Sequence, residues 1–323
     1  MTEAGGTVTR PLPVVHHDRP DEFRLGDGEP LALGVQRIVI DQIDRCIDLI
    51  RHQPDPDRTV HEMRKALKRV RAMLRLVRGE VGRFRYREEN VVLRDTARRW
   101  SAVRDGAVLV TVAEELAVET EAVGEFVGRR LIGLLEERAA DTRRALTADR
   151  RLHIDTLTTL LCFRARVARL PVVGDGAFPD RFDSIRPGLL RTARRTRAEM
   201  ETARSLPTAH HLHQWRKRVK YLRHQVEVLE PAWEDLLGAL ARRLDSLGSL
   251  LGDDHDRAEL GRVLATDHTL IPDERSRHRV LVAVERARID LQAEAFALGG
   301  SVLGPSPDAI VDQIGGAWGY WRS

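Results

Sequence analysis

An all-α protein made of two similar helical bundles is the expectation from this sequence, and three observations lead to it. The 323 residues are 32% charged and only 5% aromatic, with Ala, Leu, Val, Arg and Glu abundant, a composition that suits helices better than sheets. Apolar residues recur at helical spacing through most of the chain. Finally, the stretch Val60 to Arg78 (VHEMRKALKRVRAMLRLVR) returns 152 positions later as Leu212 to Glu230 (LHQWRKRVKYLRHQVEVLE). A repeated helical unit implies two bundles around a pseudo-twofold axis, and the length is ample for one large or two ordinary domains.

Residues 1–30, rich in Gly, Pro and mixed charge, read as a flexible lead-in; His16 and His17 fall there as a solvated pair. Residues 31–171 are expected to form the first bundle. Its first helix, from Leu31 to His52, keeps Val35, Ile38, Ile43, Ile47 and Ile50 on one side. Thr59 with Glu62 three residues on has capping-box spacing for the next helix. On that helix, at about 100° per residue, His61, Arg64, Lys65, Lys68, Arg71 and Arg75 share a sector of about 120° opposite Met63, Leu67, Val70 and Leu74. A basic connection at 82–87 leads into a helix from Asn90 to Arg104, with Arg98 and Arg104, which Asp105-Gly106 should break. Helices over 107–117, 121–146 and 152–170 follow. Residues 172–180 (VVGDGAFPD) are the clearest linker.

The second bundle, about 181–300, repeats the plan. Arg191, Arg194 and Arg195 group on one side of a helix over 186–204. Pro207-Thr208 opens the second copy, whose His213, Arg216, Lys217, Lys220 and Arg223 share a face opposite Val219, Leu222 and Val226. A helix over 232–251, a break at Gly252-Asp253-Asp254, a short helix to about Ala265, a long one over 273–297 and a closing helix over 306–321 complete it. Trp100 to Asp105 lines up weakly with Leu251 to Asp256, so in each half an aspartate ends the helix after the basic one.

Charge placement points toward function. Net charge is only +4, yet 58–104 holds 15 Arg and Lys against 5 Asp and Glu, and 191–223 holds 10 against 2. The two repeat copies are therefore strongly basic and the rest of the chain is net acidic, the footprint of a polyanion binder. Of 53 basic residues only four are lysines, Lys65, Lys68, Lys217 and Lys220, and they occupy matching positions in the repeat. Lysine offers a movable point charge where arginine offers a rigid fork. Like charges at i,i+3 and i,i+4 destabilise an isolated helix by a few tenths of a kcal/mol per pair, which an anionic ligand would offset.

The doubled H-x-x-R-K/R-x-x-K-x-x-R core, followed each time by an LG-x-x-x-D-like element, resembles the CHAD domain (conserved histidine α-helical domain) from about residue 30 to the C-terminus. The resemblance implies two similar four-helix bundles, binding of inorganic polyphosphate on a basic surface between them, and association with polyphosphate granules. It carries the binding role onto His61, Arg64, Lys65, Lys68, Arg71, His213, Arg216, Lys217, Lys220 and Arg223; Arg75, Arg98, Arg104, Arg191 and Arg194 extend the basic faces. Ser101 departs from the expected glycine, which Gly252 keeps, and Glu227 stands where the second ladder would match Arg75. Some relatives carry a phosphate-cleaving CYTH domain ahead of this one. The lead-in is too short for such a barrel, so no catalytic activity and no cofactor are expected.

Polyphosphate presents charge without bases, so rows of cations one helical turn apart suffice to hold it. His61 and His213 are read in two ways, as neutral hydrogen-bond donors to phosphate or as structural groups bonded to a neighbouring bundle's carboxylate. Asp105 and Asp256 read as helix caps or internal partners of arginines. His210, His211, His213 and His255 lack the carboxylates or cysteines of a metal site. A nucleic-acid binder is the alternative, but few aromatics interleave the basic faces and no nucleic-acid-binding motif is present. A metal-dependent phosphohydrolase would need clustered carboxylates. Cys46 and Cys162 fit buried thiols in a reducing compartment. No signal pattern and no run of about 18 apolar residues lead to a cytoplasmic expectation without a membrane. An exposed apolar stripe on an outer helix would let two copies pair as a homodimer.

Overall fold

Helix is the only regular secondary structure among the residues described by the computed structural model, which are 23–52, 55–119, 124–174, 176–304 and 306–323. In chain order the helices are α1 (Leu31–His52), α2 (Pro56–Leu76), α3 (Arg78–Val81), α4 (Arg83–Arg99), α5 (Ser101–Glu119) and α6 (Glu125–Ala148). They continue as α7 (Arg150–Ala168), α8 (Arg186–Ser205), α9 (Ala209–Leu229), α10 (Glu234–Thr266), α11 (Glu274–Leu303) and α12 (Pro307–Trp321). None is long and apolar enough to cross a membrane.

The two basic helices lie at the centre. α2 packs on α1, α4 and α8 and also directly on α9, which is flanked by α8 and α10. Met63, Leu67, Val70 and Met73 of α2 and Leu212, Trp215, Val219 and Val226 of α9 are buried in one apolar cluster that also takes in α1, α7, α8 and α12. Burying such side chains stabilises by about 1.5–3 kcal/mol each. Polar ties fix the α2–α9 contact: Gln225 donates to the Ala72 carbonyl at 3.1 Å, and Arg69 meets Glu227 at 2.9 Å. A second cluster, formed by α5, α6, α10 and α11, lies apart and contains Val112, Leu131, Leu260 and Val280.

Several sequence expectations require correction. Asp105-Gly106 does not break a helix; the interruption falls at Trp100, and α5 runs through from Ser101. Likewise α10 passes Gly252-Asp253-Asp254 without a break. A glycine in a helix costs only about 1 kcal/mol, and buried Leu247, Leu251 and Leu260 on both sides of the turn outweigh it. Gly252 serves close approach, because a Cβ there would lie 3.0 Å from the Arg216 guanidinium. Asp105 and Asp256 are consequently mid-helix residues and not caps. The N-cap of α2 is Asp55, which accepts from the Asp57 and Arg58 amides ahead of Pro56, while Thr59 is buried inside the helix. Thr208 does cap α9, accepting from the His211 amide. Cys46 is buried but Cys162 is exposed on α7.

His16, His17 and the rest of residues 1–22 lie outside the described residues. The last part of the lead-in is packed, with Phe23 and Leu25 buried and the Leu25 amide donating to the Val228 carbonyl at 3.1 Å. The linker also has a structural task. Asp180 accepts from the Leu31 amide at 3.1 Å, capping α1 from 149 residues away.

Candidate functional site

Where α2 and α9 pack, each presents part of its cationic ladder to the other. Lys68 feels the charges of Lys220, Arg64, Arg216 and Arg104, so residues from α2, α5 and α9 form one electrostatic cluster. Asp256 of α10 acts on Arg64, Arg216 and Lys220, and Asp105 of α5 acts on Arg64. These aspartates act on the arginines through charge alone, with no hydrogen bond or direct ion pair between them, and their number falls short of the cations they face.

The consequence shows in proton affinities. Burial, reinforced by Lys220 and the three arginines, pushes the Lys68 ammonium down to about 7. Burial and Arg216 bring Lys220 down to about 8. Desolvation also lowers Arg64 and Arg216, with Asp105 and Asp256 pulling the other way. Desolvation disfavours a charged form, and like charges add to that penalty. Among the described residues the side chains of Arg64, Lys65, Lys68, Arg104, Arg216, Lys217 and Lys220 form no hydrogen bond or direct ion pair.

Part-buried arginines elsewhere in the fold can be tightly paired. Arg166 grips Glu89 through two nitrogens at 2.7 and 2.8 Å, and Arg164 and Asp44 make a similar fork. Against that background the bare cations on α2, α5 and α9 stand out. Proteins seldom bury charge without a partner.

The other sequence-derived site residues distribute as follows. Arg71 donates to Asn90 at 3.1 Å. Arg75 lies 3.8 Å from the centre of the Tyr221 ring and donates to the Arg71 carbonyl at 2.7 Å, so a tyrosine of α9 supports a cation of α2. Arg223 pairs with Asp245 at 2.9 Å. Arg98 is exposed on α4, and Arg191 is exposed on α8, its charge acting on Arg78. Arg194 does not join it; it forks onto Asp308 of α12 at 2.6 Å, so the sequence grouping on α8 divides.

The two histidines are not equivalent. His61 is exposed, 3.9 Å from Glu62 of its own helix. His213 stacks on His255 of α10 with ring centres 4.1 Å apart, and burial together with His255, Lys217 and Arg216 holds it down at about 3. It is a neutral ring near neutral pH, with Nδ1 buried and unbonded. Among the described residues no carboxylate from another helix meets either ring, and no group of three or more His, Cys, Asp or Glu side chains is placed to hold a metal ion.

Sequence reasoning missed Tyr86 and Arg78 as neighbours of the ladders. Tyr86 lies in the basic connection, where no helical period marked a face, and Arg78 is the last residue of the first repeat copy, beyond the ladder positions that the two copies share. His255, which the sequence grouped with His210, His211 and His213, does stack on His213.

A family model, the CHAD domain, matches residues 37–265, which contain both copies of the basic stretch. Among solved structures the chain is similar to the crystal structure of the CHAD domain from the plant Ricinus communis, at 18% identity and a TM-score of 0.56, over 94% of this chain and 97% of that one. At that identity the likeness concerns the fold. No curated protein matches the chain. With the family match extending over most of its length, the chain belongs to the CHAD domain family, which is associated with polyphosphate binding.

Proposed function

We propose that the chain binds inorganic polyphosphate across the face shared by α2, α5 and α9, without chemistry of its own, and that it acts as two copies of one helical unit that each supply one ladder. The observation that carries this reading is the set of half-buried cations with no partner, centred on Lys68 and Lys220. Such a set is costly while empty and is relieved by a polyanion. A flexible chain with a negative charge on every residue can thread between Arg64, Lys68, Arg104, Arg216 and Lys220 and place an oxygen near each.

Attraction is about 1 kcal/mol per close pair in water and several times that where solvent is partly excluded. Several such pairs give tight binding that salt weakens steeply through counterion release. His213, held neutral, can donate one hydrogen bond to a phosphoryl oxygen without adding to the repulsion. Retention on polyphosphate granules would follow from the same affinity.

The test compares long-chain polyphosphate, single-stranded DNA of matched charge and orthophosphate across a salt series, with phosphate release followed in Mg²⁺. Polyphosphate should bind far more tightly per charge than DNA, and no phosphate should be released. Replacing Lys65, Lys68, Lys217 and Lys220 together by Met should remove most of the binding while leaving the helical circular dichroism intact. Equal competition by DNA, or full affinity in the four-lysine variant, would overturn the proposal.

A further inference from the structure

The ladder of α2 does not stop where the ladder of α9 stops. Arg64, Lys68, Arg71 and Arg75 fall within a narrow sector of the helix at 100° per residue, and Arg78, at the start of α3, continues the same stripe. On α9 the row ends: Arg223 is neutralised by Asp245 at 2.9 Å, and at the next turn Glu227 faces Arg69 and His224. Past Arg75 and Arg223 the cationic surface therefore continues on the α2 side alone.

Beyond Arg75 the surface is built in a definite order. The Tyr86 ring stands between two guanidinium groups, 6.0 Å from Arg75 and 4.8 Å from Arg78. Arg78 in turn lies close enough to Arg191 of α8, and to Arg83 and Arg87 of α4, for their charges, after its own partial burial, to lower its proton affinity. Among the described residues none of Arg78, Arg83, Arg87 and Arg191 makes a hydrogen bond or a direct ion pair. Their neighbours on α8 differ, since Arg186 and Arg194 are both spent on aspartates of α12. Four unpaired arginines from three elements thus converge at the Arg78 end of the α2 stripe, joined to the inner cluster through Arg75 and Tyr86.

We infer that this arginine surface is a second subsite, which receives the continuation of a long polyphosphate chain leaving the inner site and makes the protein prefer long chains to short ones. This rests on the polyphosphate reading of the inner site. Short oligomers fill the inner cluster alone; longer ones run over Tyr86 and add contacts to Arg78, Arg83, Arg87 and Arg191. The planar guanidinium forks suit bidentate contact with phosphoryl oxygens.

The experiment measures the affinity of the full chain for tripolyphosphate and for long-chain polyphosphate, using wild type, Arg78→Gln/Arg83→Gln/Arg87→Gln, and a control of equal charge change, Arg130→Gln/Arg275→Gln/Arg286→Gln. The first variant should keep wild-type affinity for tripolyphosphate and lose about 10- to 100-fold for the long chain, with a shallower salt dependence. The control should lose little for either. Unchanged long-chain affinity in the first variant, or an equal loss in the control, would overturn the subsite. Failure of wild type to bind either polyphosphate would instead overturn the reading of the inner site.

Discussion

Replacing Lys68 by Met should make the empty protein more stable and a worse binder, a combination that a structural lysine would not give. The side chain is half-buried between like charges, and its ammonium is pushed from the ordinary 10.5 down to about 7, first by burial and then by Lys220, Arg64, Arg216 and Arg104. A tenfold difference in proton affinity is worth about 1.4 kcal/mol, which sets a ceiling of about 4 kcal/mol on the cost of this group at neutral pH. Residual solvent screening and side-chain movement reduce that to about 1–3 kcal/mol. Methionine keeps the length and apolar stem without the charge, so the melting temperature should rise by about 2–5 °C for a chain of this size. The sign with pH follows from linkage. Between about 7 and 10.5 the unfolded chain holds more protons at this site than the folded one, so wild-type stability rises with pH over that window and the advantage of the variant shrinks. In the same variant, polyphosphate affinity should fall about tenfold or more. Calorimetry at pH 7 and pH 9.5 with a binding titration at pH 7 checks both halves. A lower melting temperature with affinity retained would refute the reasoning.

Two further changes test the frame that holds the ladders. Burial pushes the Glu227 carboxyl up, but the His224 hydrogen bond and the Arg69 charge outweigh it and hold it at about 2. Its stabilising share is present above about 4.5 and lost as pH falls toward 2, so Glu227→Gln should cost about 1–3 kcal/mol in denaturant unfolding at pH 7, and the gap to wild type should close in acid. Gly188→Ala should cost about 3 kcal/mol or more, read as a drop in the denaturant midpoint, because a Cβ there would lie 1.9 Å from the Leu76 carbonyl oxygen where α8 crosses the end of α2.

What the sequence revealed and what it concealed divide along range. The helices with a strong apolar period were legible, and so was the pairing of Lys68 with Lys220, since repeat equivalence singles out both. Breaks inferred at Gly106 and Gly252 were not real, because local propensity knew nothing of the apolar neighbours that carry α5 and α10 through. Asp55 displaced Thr59 as a cap because Pro56 favours the first helical turn, a choice that the capping-box spacing alone did not weigh. Phe23 and Leu25 pack in the main core, where the Leu25 amide bonds to Val228 of α9, and no short-range pattern could show that. Glu227 looked like a missing cation in the second ladder. In the structure it is the carboxylate that ties α9 to Arg69 of α2.

That exchange explains how two repelling ladders can be held together at all. On their packed sides α2 and α9 share an apolar core, the Gln225–Ala72 hydrogen bond and the Arg69–Glu227 pair. On their open sides the same two helices hold Lys68 and Lys220 against each other with no partner. Neither helix could sustain this alone, since one ladder in water would simply be solvated, at a cost of tenths of a kcal/mol per pair. Packing converts that mild repulsion into an unsatisfied, partly desolvated cluster, and under the proposed function desolvation would make each contact with a phosphate stronger than it would be on an open surface. The repeat therefore matters less for doubling the number of cations than for supplying the second wall that takes water away from the first.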